Sequence, residues 1–311
     1  MAASFGGFIV AHGALRTGNR IEKPQRLSEG LLRPLAPVEW LLHSEGTMQR
    51  RQFLASSLAA STVGIAGNLN AENATIPSRE YYQLRRYSLL SGPQLKLTES
   101  YFSDALIPAL GRLGMGSVGA LKFDIGPETP AYVLVIPSSN LADLAELDLR
   151  LAKDAAFLSA AQPFWNATNA APAFVRMESW LLKAFEGWPK ITPPPSAATK
   201  AKRIFELRTY ESPSNGDHVR KVEMFHAGEF EIFLKSGFQP VFFGDGLIGS
   251  RLPHLTYMLS FADMADRDTK WDVFRNDPAW KRLSADPRYA FDQIVDNITN
   301  AILSPLACSQ I

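Results

Sequence analysis

One predicted strand, IFELRTY at 204–210, carries side chains that could orient a ligand. Because side chains alternate along a strand, Glu206, Arg208 and Tyr210 share one face, while the other face is mostly apolar. We expect the apolar face to pack on helices and the polar face to look toward a second sheet. Charges between two sheets are costly unless paired or hydrated, so the strand predicts a polar ligand-binding patch there. The alternative is a structural ion pair between Glu206 and Arg208.

A related phrase, YYQLRRY at 81–87, puts Arg85 and Tyr87 at positions equivalent to Arg208 and Tyr210. We therefore add Arg85 and Tyr87 to the candidate ligand-binding residues. The same spacing continues through further pairs: Phe102 and Phe225, Gly114 and Gly237, Gly126 and Gly249, Pro130 and Pro253, Asp154 and Asp277. A constant register over this many positions indicates an internal duplication.

His226 is the candidate catalytic residue. It lies in a predicted helix, 215–236, one turn from Glu223 and from Glu229. An imidazole beside a carboxylate could transfer protons or bind a haem iron, although many helical histidines only fill surface or core positions. Cys308 is the single cysteine, so a cysteine-cluster metal site is excluded, and we predict no metal site. The sequence identifies no cofactor.

Two other motifs have simpler interpretations. The string GDGLIG at 244–249 has the glycine spacing of a dinucleotide-binding loop, but Pro253 stands where the required helix would begin. A tight hairpin loop fits these glycines better. An aromatic cluster of Trp271, Phe274 and Trp280 is typical of core packing, with a hydrophobic wall for an aromatic or lipid-like ligand as the alternative.

The elements that must position these residues follow the same order in both halves. Strand-forming, helical and hairpin segments succeed one another as β-α-β-β-α-β, the split βαβ unit of ferredoxin-like folds. We predict an α+β fold with a first repeat at 80–185, a Pro-rich linker at 186–203 and a second repeat at 204–311. A ferredoxin-like sheet has helices on one face only, so the other face must be buried. We expect the tandem repeats to form an intrachain dimeric α/β-barrel-like sandwich.

The segment 48–71, MQRRQFLASSLAASTVGIAGNLNA, has the form of a twin-arginine export signal. Arg50 and Arg51 precede a moderately apolar run that is too short and too rich in serine for a membrane-spanning helix. We expect cleavage near Ala71 and a periplasmic location. Because an export signal should stand first, we expect Met48 to be the initiator and 1–47 to be a misannotated or disordered extension.

Composition limits the class of partner. The chain has 311 residues, 46% apolar content and a formal net charge of +1. These values indicate a globular protein, and without a basic run they argue against nucleic acid as a partner. We expect no membrane span in the mature chain, whereas a homo-oligomer is possible.

The second half resembles the NIPSNAP family through FELRTY, VEMFHAGEF, PVFFGDGLIG and LTYMLSFADMADRDTKWDVFRNDPAW. The likeness extends over 204–306, and the first half follows the same plan over 81–185. The resemblance implies a dimeric α+β-barrel fold but supplies no established catalytic residues. Better-known members are mitochondrial, a setting from which the export leader departs.

Three functions are consistent with these observations. The first is an exported protein that binds a small apolar or aromatic ligand between its sheets. The second is a cofactor-free oxygenase-like or haem-dependent enzyme, by analogy with similar barrels. The third is a non-catalytic scaffold that works through its outer surface.

Overall fold

A computed structural model describes residues 78–311, which lie in the compact unit Glu72–Ile311. The predicted extension 1–47 and export signal 48–71 lie outside the described residues. None of the helices within 78–311 is both long and apolar enough to cross a membrane.

The first half contains four strands and five helices. Its strands are β1 (Tyr81–Ser88), β2 (Gly119–Ile125), β3 (Ala131–Ser138) and β4 (Arg176–Ala184). Its helices are α1 (Pro93–Ser100), α2 (Ile107–Arg112), α3 (Leu141–Ala145), α4 (Leu147–Leu151) and α5 (Ala155–Trp165). A π-helical segment, Tyr101–Leu106, joins α1 to α2.

The linker and second half continue the pattern. Helix α6 (Pro195–Ala198) lies in the Pro-rich stretch, and the strands are β5 (Ile204–Glu211), β6 (Gln239–Ile248), β7 (His254–Phe261) and β8 (Asn297–Pro305). The helices are α7 (Asn215–Met224), α8 (Phe230–Lys235), α9 (Met264–Asn276), α10 (Pro278–Ser284) and α11 (Phe291–Ile294). A π-helical segment, Phe225–Glu229, again interrupts the first long helix, and Pro287–Tyr289 forms a 3₁₀ turn.

Local sequence explains where the helices begin. The side chains of Ser214 and Asp263 accept hydrogen bonds from backbone N–H groups three residues further on. Asp277 caps α10 in a similar way, and Pro278 occupies the first helical position, where its missing N–H costs nothing. In the first half, the second helical segment of the repeat forms three short helices, α3 to α5, and Asp154 caps the last of them.

The two halves close one antiparallel barrel. The strand order is β4-β1-β3-β2 in the first half and β8-β5-β7-β6 in the second, and the pairs β2–β8 and β4–β6 join the two sheets at their edges. The predicted α+β fold of tandem ferredoxin-like repeats forming a barrel is thus confirmed, with sheets that meet edge to edge. Closure leaves neither sheet with an unpaired edge. The last strand of the predicted β-α-β-β-α-β order in the second half is β8.

Apolar side chains form three clusters. One fills the barrel interior and includes Tyr82, Phe205, Phe242 and Leu303. The other two lie between each sheet and its own helices. The strands therefore have one face directed into the barrel and one beneath the helices, and both faces are buried along most of β1, β3 and β7.

Candidate functional site

An open cavity of about 140 Å³ lies at one end of the barrel, near the β2–β3 and β6–β7 hairpin loops. Its walls come from both halves of the chain. They are formed by Leu84, Arg86, Phe123, Pro127, Val133, Glu178, Trp180, Leu207, Thr209, Ser250, Arg251, His254, Thr256, Thr299 and Ala301.

The two halves contribute unlike walls. Leu84, Phe123 and Val133 of the first half supply apolar surface. The second half contributes Leu207 and Ala301, and a row of polar side chains described below. A cavity with an apolar wall and a few convergent polar groups is typical of a small-molecule site.

Charged residues at the mouth are paired with each other. Arg86 hydrogen-bonds to Glu178, and its guanidinium lies 5.7 Å from the ring centre of Trp180. Arg176 bonds to Glu128 at 2.7 Å and approaches Glu178 at 3.3 Å. Burial raises the pKa of Glu178, but hydrogen bonds from Arg86 and Arg176 outweigh it, so the net pKa is lowered. The mouth of the cavity therefore presents balanced charge.

The polar wall is built from neighbouring positions on β5 and β7. The hydroxyls of Thr209 and Thr256 are 2.8 Å apart, and Nδ1 of His254 lies 3.4 Å from Thr256 Oγ1. His254 is only 2% exposed, and its Nε2 has no hydrogen-bond partner among the described residues. Burial, followed by the nearby His218, lowers the pKa of His254 and keeps the ring neutral near pH 7.

Glycines in β6 and in the adjoining loop allow this packing. A Cβ on Gly246 would lie 2.8 Å from Nε2 of His254, and a Cβ on Gly249 would lie 2.2 Å from the Trp180 ring. Gly249 also has φ of +146°, which side-chain-bearing residues rarely adopt. The string GDGLIG was predicted to be a hairpin loop, but its first five residues continue strand β6 and only Gly249 lies in the loop. Its glycines let the walls of the cavity approach.

The predicted polar strand face lies elsewhere. Glu206, Arg208 and Tyr210 share a face as predicted, but that face is directed toward the helices of the second half, and Leu207 and Thr209 face the cavity. The expectation that the polar face looks into the space between the sheets is therefore wrong. Alternation fixes which residues share a face, but not which of two buried faces lies inside a barrel.

Helix α9 supplies the partners of this face. Glu206 is fully buried and accepts hydrogen bonds from Arg267 at 2.5 Å and from the indole N–H of Trp271 at 2.7 Å. Arg208 at 3.0 Å and Asn300 at 2.7 Å complete its shell. Burial raises the pKa of Glu206, but these contacts, led by the hydrogen bond from Arg267, lower it overall. This arrangement matches the structural ion pair that the sequence offered as the alternative.

Further contacts extend the network. Arg208 donates to the Tyr210 hydroxyl at 3.0 Å, and Tyr257 donates to the same oxygen at 3.1 Å. The Arg208 guanidinium lies 4.9 Å from the ring centre of Trp271. Burial lowers the pKa of Arg208, but the adjacent Tyr257, Tyr210 and Glu206 raise it overall. Arg208 is therefore a fixed cation beneath α9.

The equivalent residues of the first half also face helices. Arg85 is buried and donates to Asp148 at 2.8 Å and to Gln83 at 3.0 Å. The Tyr87 ring packs edge-on against Phe102 at 5.4 Å between centres. None of the five predicted ligand-binding residues lines the barrel cavity, and a ligand role for them stays a prediction.

His226 is exposed on the π-helical segment. Its Nδ1 lies 2.9 Å from the carbonyl oxygen of Val222, and its Nε2 accepts from the Gly187 N–H at 3.1 Å. The two neighbouring carboxylates pair elsewhere, Glu229 with Lys221 and Glu223 with Arg288. Both imidazole nitrogens are thus occupied, and the predicted catalytic role would require one of these hydrogen bonds to break.

The described residues do not fit a haem. Nε2 of His226 is occupied, and Nε2 of His254 is enclosed behind Gly246. The cavity of about 140 Å³ is well below the roughly 300 to 1,000 Å³ of sites for larger organic ligands. Within residues 78–311, no group of three or more His, Cys, Asp or Glu side chains is arranged to hold a metal ion.

Comparison with known proteins adds a family for the second half. The sequence model of the NIPSNAP family matches residues 205–310. Residues 205–310 form a NIPSNAP domain. No curated protein matches the chain. The NIPSNAP domain holds all the cavity's threonines and His254, so the polar wall belongs to it and the first half supplies the opposite wall.

Several solved structures are similar to the chain. A candidate monooxygenase from Fusobacterium nucleatum subsp. nucleatum has a TM-score of 0.47 at 9% identity, covering 74% of this chain and 94% of its own. An anthrone oxidase-like protein has a TM-score of 0.42 at 13% identity, with coverages of 74% and 93%. A NIPSNAP-like domain protein from Burkholderia xenovorans has a TM-score of 0.30 at 20% identity, with coverages of 34% and 86%.

Sequence reasoning missed the cavity residues of the NIPSNAP domain. Alternation places Thr209 on the face that we expected to pack on helices, Thr256 lies in the apolar-looking strand LTYMLSF, and His254 immediately precedes that strand. One signal was available, because Thr209 aligns with Arg86 of the first repeat. Two polar residues at equivalent positions on a supposedly apolar face indicate that this face reaches an opening.

Proposed function

We propose that the chain is an exported protein that binds a small apolar or aromatic molecule in the mouth of its barrel. The observation that carries this proposal is the open cavity with an apolar wall from the first half and a polar wall from the NIPSNAP domain. Its lining joins side chains of the barrel core to polar groups that converge on the same space.

The size of the cavity limits the ligand. Its volume of about 140 Å³ is close to the roughly 150 Å³ of an engineered apolar cavity that accommodates benzene. A single ring with one small substituent is therefore the expected occupant. Larger ring systems would have to project from the mouth past Trp180 and Arg251.

Filling the cavity tests the proposal. Ala301 lines the cavity and is buried, so Ala301→Leu should occupy the space of a ligand. The matched control is Ala156→Leu on the exposed surface of α5, which adds the same atoms away from the barrel. Toluene and phenol are titrated against the full chain and followed by amide chemical shifts.

The proposal predicts shifts at strands β5, β7 and β8 in the unmodified chain and in Ala156→Leu, and their loss in Ala301→Leu. Melting temperatures of all three proteins establish that the variants fold. Equal binding by Ala301→Leu, or shifts confined to the helices of the second half, would place the ligand elsewhere and overturn the proposal.

Export is the second part of the proposal, and it is supported by the paired arginines Arg50 and Arg51 before an apolar run. Replacing both by lysine keeps the charge and removes the feature that the twin-arginine pathway reads. We expect the unmodified protein in the exported fraction of its host with a mature start near Ala71. Equal export of the double-lysine variant would refute this route.

A further inference from the structure

The polar wall of the cavity contains a row of three side chains whose donors and acceptors can be counted. Thr209 and Thr256 share one hydrogen bond at 2.8 Å, and Thr256 lies 3.4 Å from Nδ1 of His254. His254 and Thr256 are buried, whereas Thr209 retains access to the cavity. The row therefore begins in the protein interior and ends at the space where a ligand would lie.

The buried end of the row sets the direction of its hydrogen bonds. Nε2 of His254 has no partner among the described residues. A buried N–H without an acceptor is rarer in proteins than a buried acceptor without a donor. The neutral ring therefore carries its proton on Nδ1, which points to Thr256, and leaves Nε2 as the bare acceptor.

The direction then follows along the row. His254 Nδ1–H donates to the oxygen of Thr256, and the hydroxyl of Thr256 donates to the oxygen of Thr209. The hydrogen of the Thr209 hydroxyl is left free to turn toward the cavity. Each hydroxyl supplies only one hydrogen, so the row presents a donor at its open end.

We propose that the ligand of the barrel mouth carries a neutral acceptor oxygen, such as a ring ketone or an aldehyde, which accepts a hydrogen bond from Thr209. The inference rests on the proposed binding function and names the chemical class that the same cavity takes. A neutral oxygen fits better than a carboxylate because each arginine at the mouth is already paired: Arg86 with Glu178, Arg176 with Glu128 and Arg251 with Glu211. The ring itself would lie against Leu84, Phe123 and Val133.

Two probes of nearly identical shape test the inference. Cyclohexanone has an acceptor oxygen where methylenecyclohexane has a CH₂ group. Both are titrated against the full chain, with amide chemical shifts of β5 and β7 as the readout. A net hydrogen bond of the usual strength makes cyclohexanone bind roughly fivefold more tightly.

Variants assign this preference to one hydroxyl. Thr209→Val removes the donor with little change of shape and should abolish the preference, whereas Thr209→Ser keeps the donor and should retain it. Thr299→Val is the control for the second cavity hydroxyl: the Thr299 oxygen accepts from Arg251 at 3.2 Å, but its hydrogen, like that of Thr209, can turn toward the cavity. The control should keep the preference, and melting temperatures establish that each variant folds.

The outcomes separate the two proposals. If neither probe shifts the resonances of the barrel mouth, the binding function itself fails. If both bind equally to the unmodified chain, binding stands and only the acceptor preference is overturned. A preference that survives Thr209→Val, or that disappears in Thr299→Val, overturns the assignment to Thr209.

Discussion

The buried carboxylate of Glu206 should be among the most costly single groups to neutralise in the second half. Glu206→Gln keeps the shape of the side chain but removes the charge that compensates Arg208, and it leaves Arg267 with only the exposed carboxylate of Asp268. Both guanidiniums are largely buried, with 15% and 19% of their side chains exposed. Removing one partner of a buried ion pair typically costs about 3 to 5 kcal/mol, because the remaining charge stays buried.

The retained amide oxygen of the glutamine can still accept from Trp271, so we expect the lower end of that range, about 3 kcal/mol. For a domain of this size, such a loss lowers the melting temperature by roughly 6 to 12 °C. Urea unfolding of Glu206→Gln is compared with the unmodified chain and with Glu146→Gln, an exposed carboxylate on the first helical layer.

The pH dependence of stability provides a second test of the Glu206 ion pair. The pKa of Glu206 is lowered in the folded chain, so its stabilisation is present above the unfolded pKa, near 4.3. It is lost as the pH falls through the folded pKa. The difference in stability between the unmodified chain and Glu206→Gln should therefore shrink below about pH 4. A cost under about 1 kcal/mol at pH 7, or a difference that does not change with pH, would refute the interpretation as a buried ion pair.

Three further predictions concern other buried groups. Lys221→Met should lower the free energy of unfolding in urea by about 3 kcal/mol, because it leaves the buried carboxylate of Glu229, which Lys221 contacts at 2.9 Å, without a partner. Adding Glu229→Leu should restore part of the loss. Costs of the two substitutions that simply add would refute the pairing. Gly249→Ala should lower the free energy of unfolding by about 1 to 3 kcal/mol, because the alanine strains a backbone with positive φ and its Cβ clashes with Trp180. An unchanged melting temperature would contradict this. The lowered pKa of His254 means that the folded state resists its protonation, so stability should fall as the pH drops below the unfolded pKa of about 6.5, and His254→Phe should remove that component of the pH profile.

The fold was largely predictable because the sequence contains the same order of strands and helices twice. The phrases around Arg85 and Arg208, and the matched glycines at the helix ends, fixed the order of elements in both halves. The analogy between the halves also predicts the last strand, β8, although the four-residue spacing of Ile294, Ile298 and Ile302 alone favours a helix. Edge-to-edge closure was less accessible, since it depends on which strands pair between the halves.

The site was less predictable, for a physical reason. In this barrel both faces of strands such as β3 and β7 are buried, so burial does not separate the cavity face from the helix face. Glu206 attracted attention because a charged strand residue is rare, yet its partners come from α9, far along the chain. Thr209 and Thr256 carry a weaker signal, because threonine is ordinary in strands.

Diffraction from crystals of the full chain pressurised with xenon tests the central claim most directly. Xenon binds accessible apolar cavities without needing a specific hydrogen bond, so it reports the cavity independently of ligand chemistry. The account predicts xenon density between Leu84, Val133 and Ala301, and its loss in Ala301→Leu. Xenon bound elsewhere, with none at the barrel mouth, would contradict it.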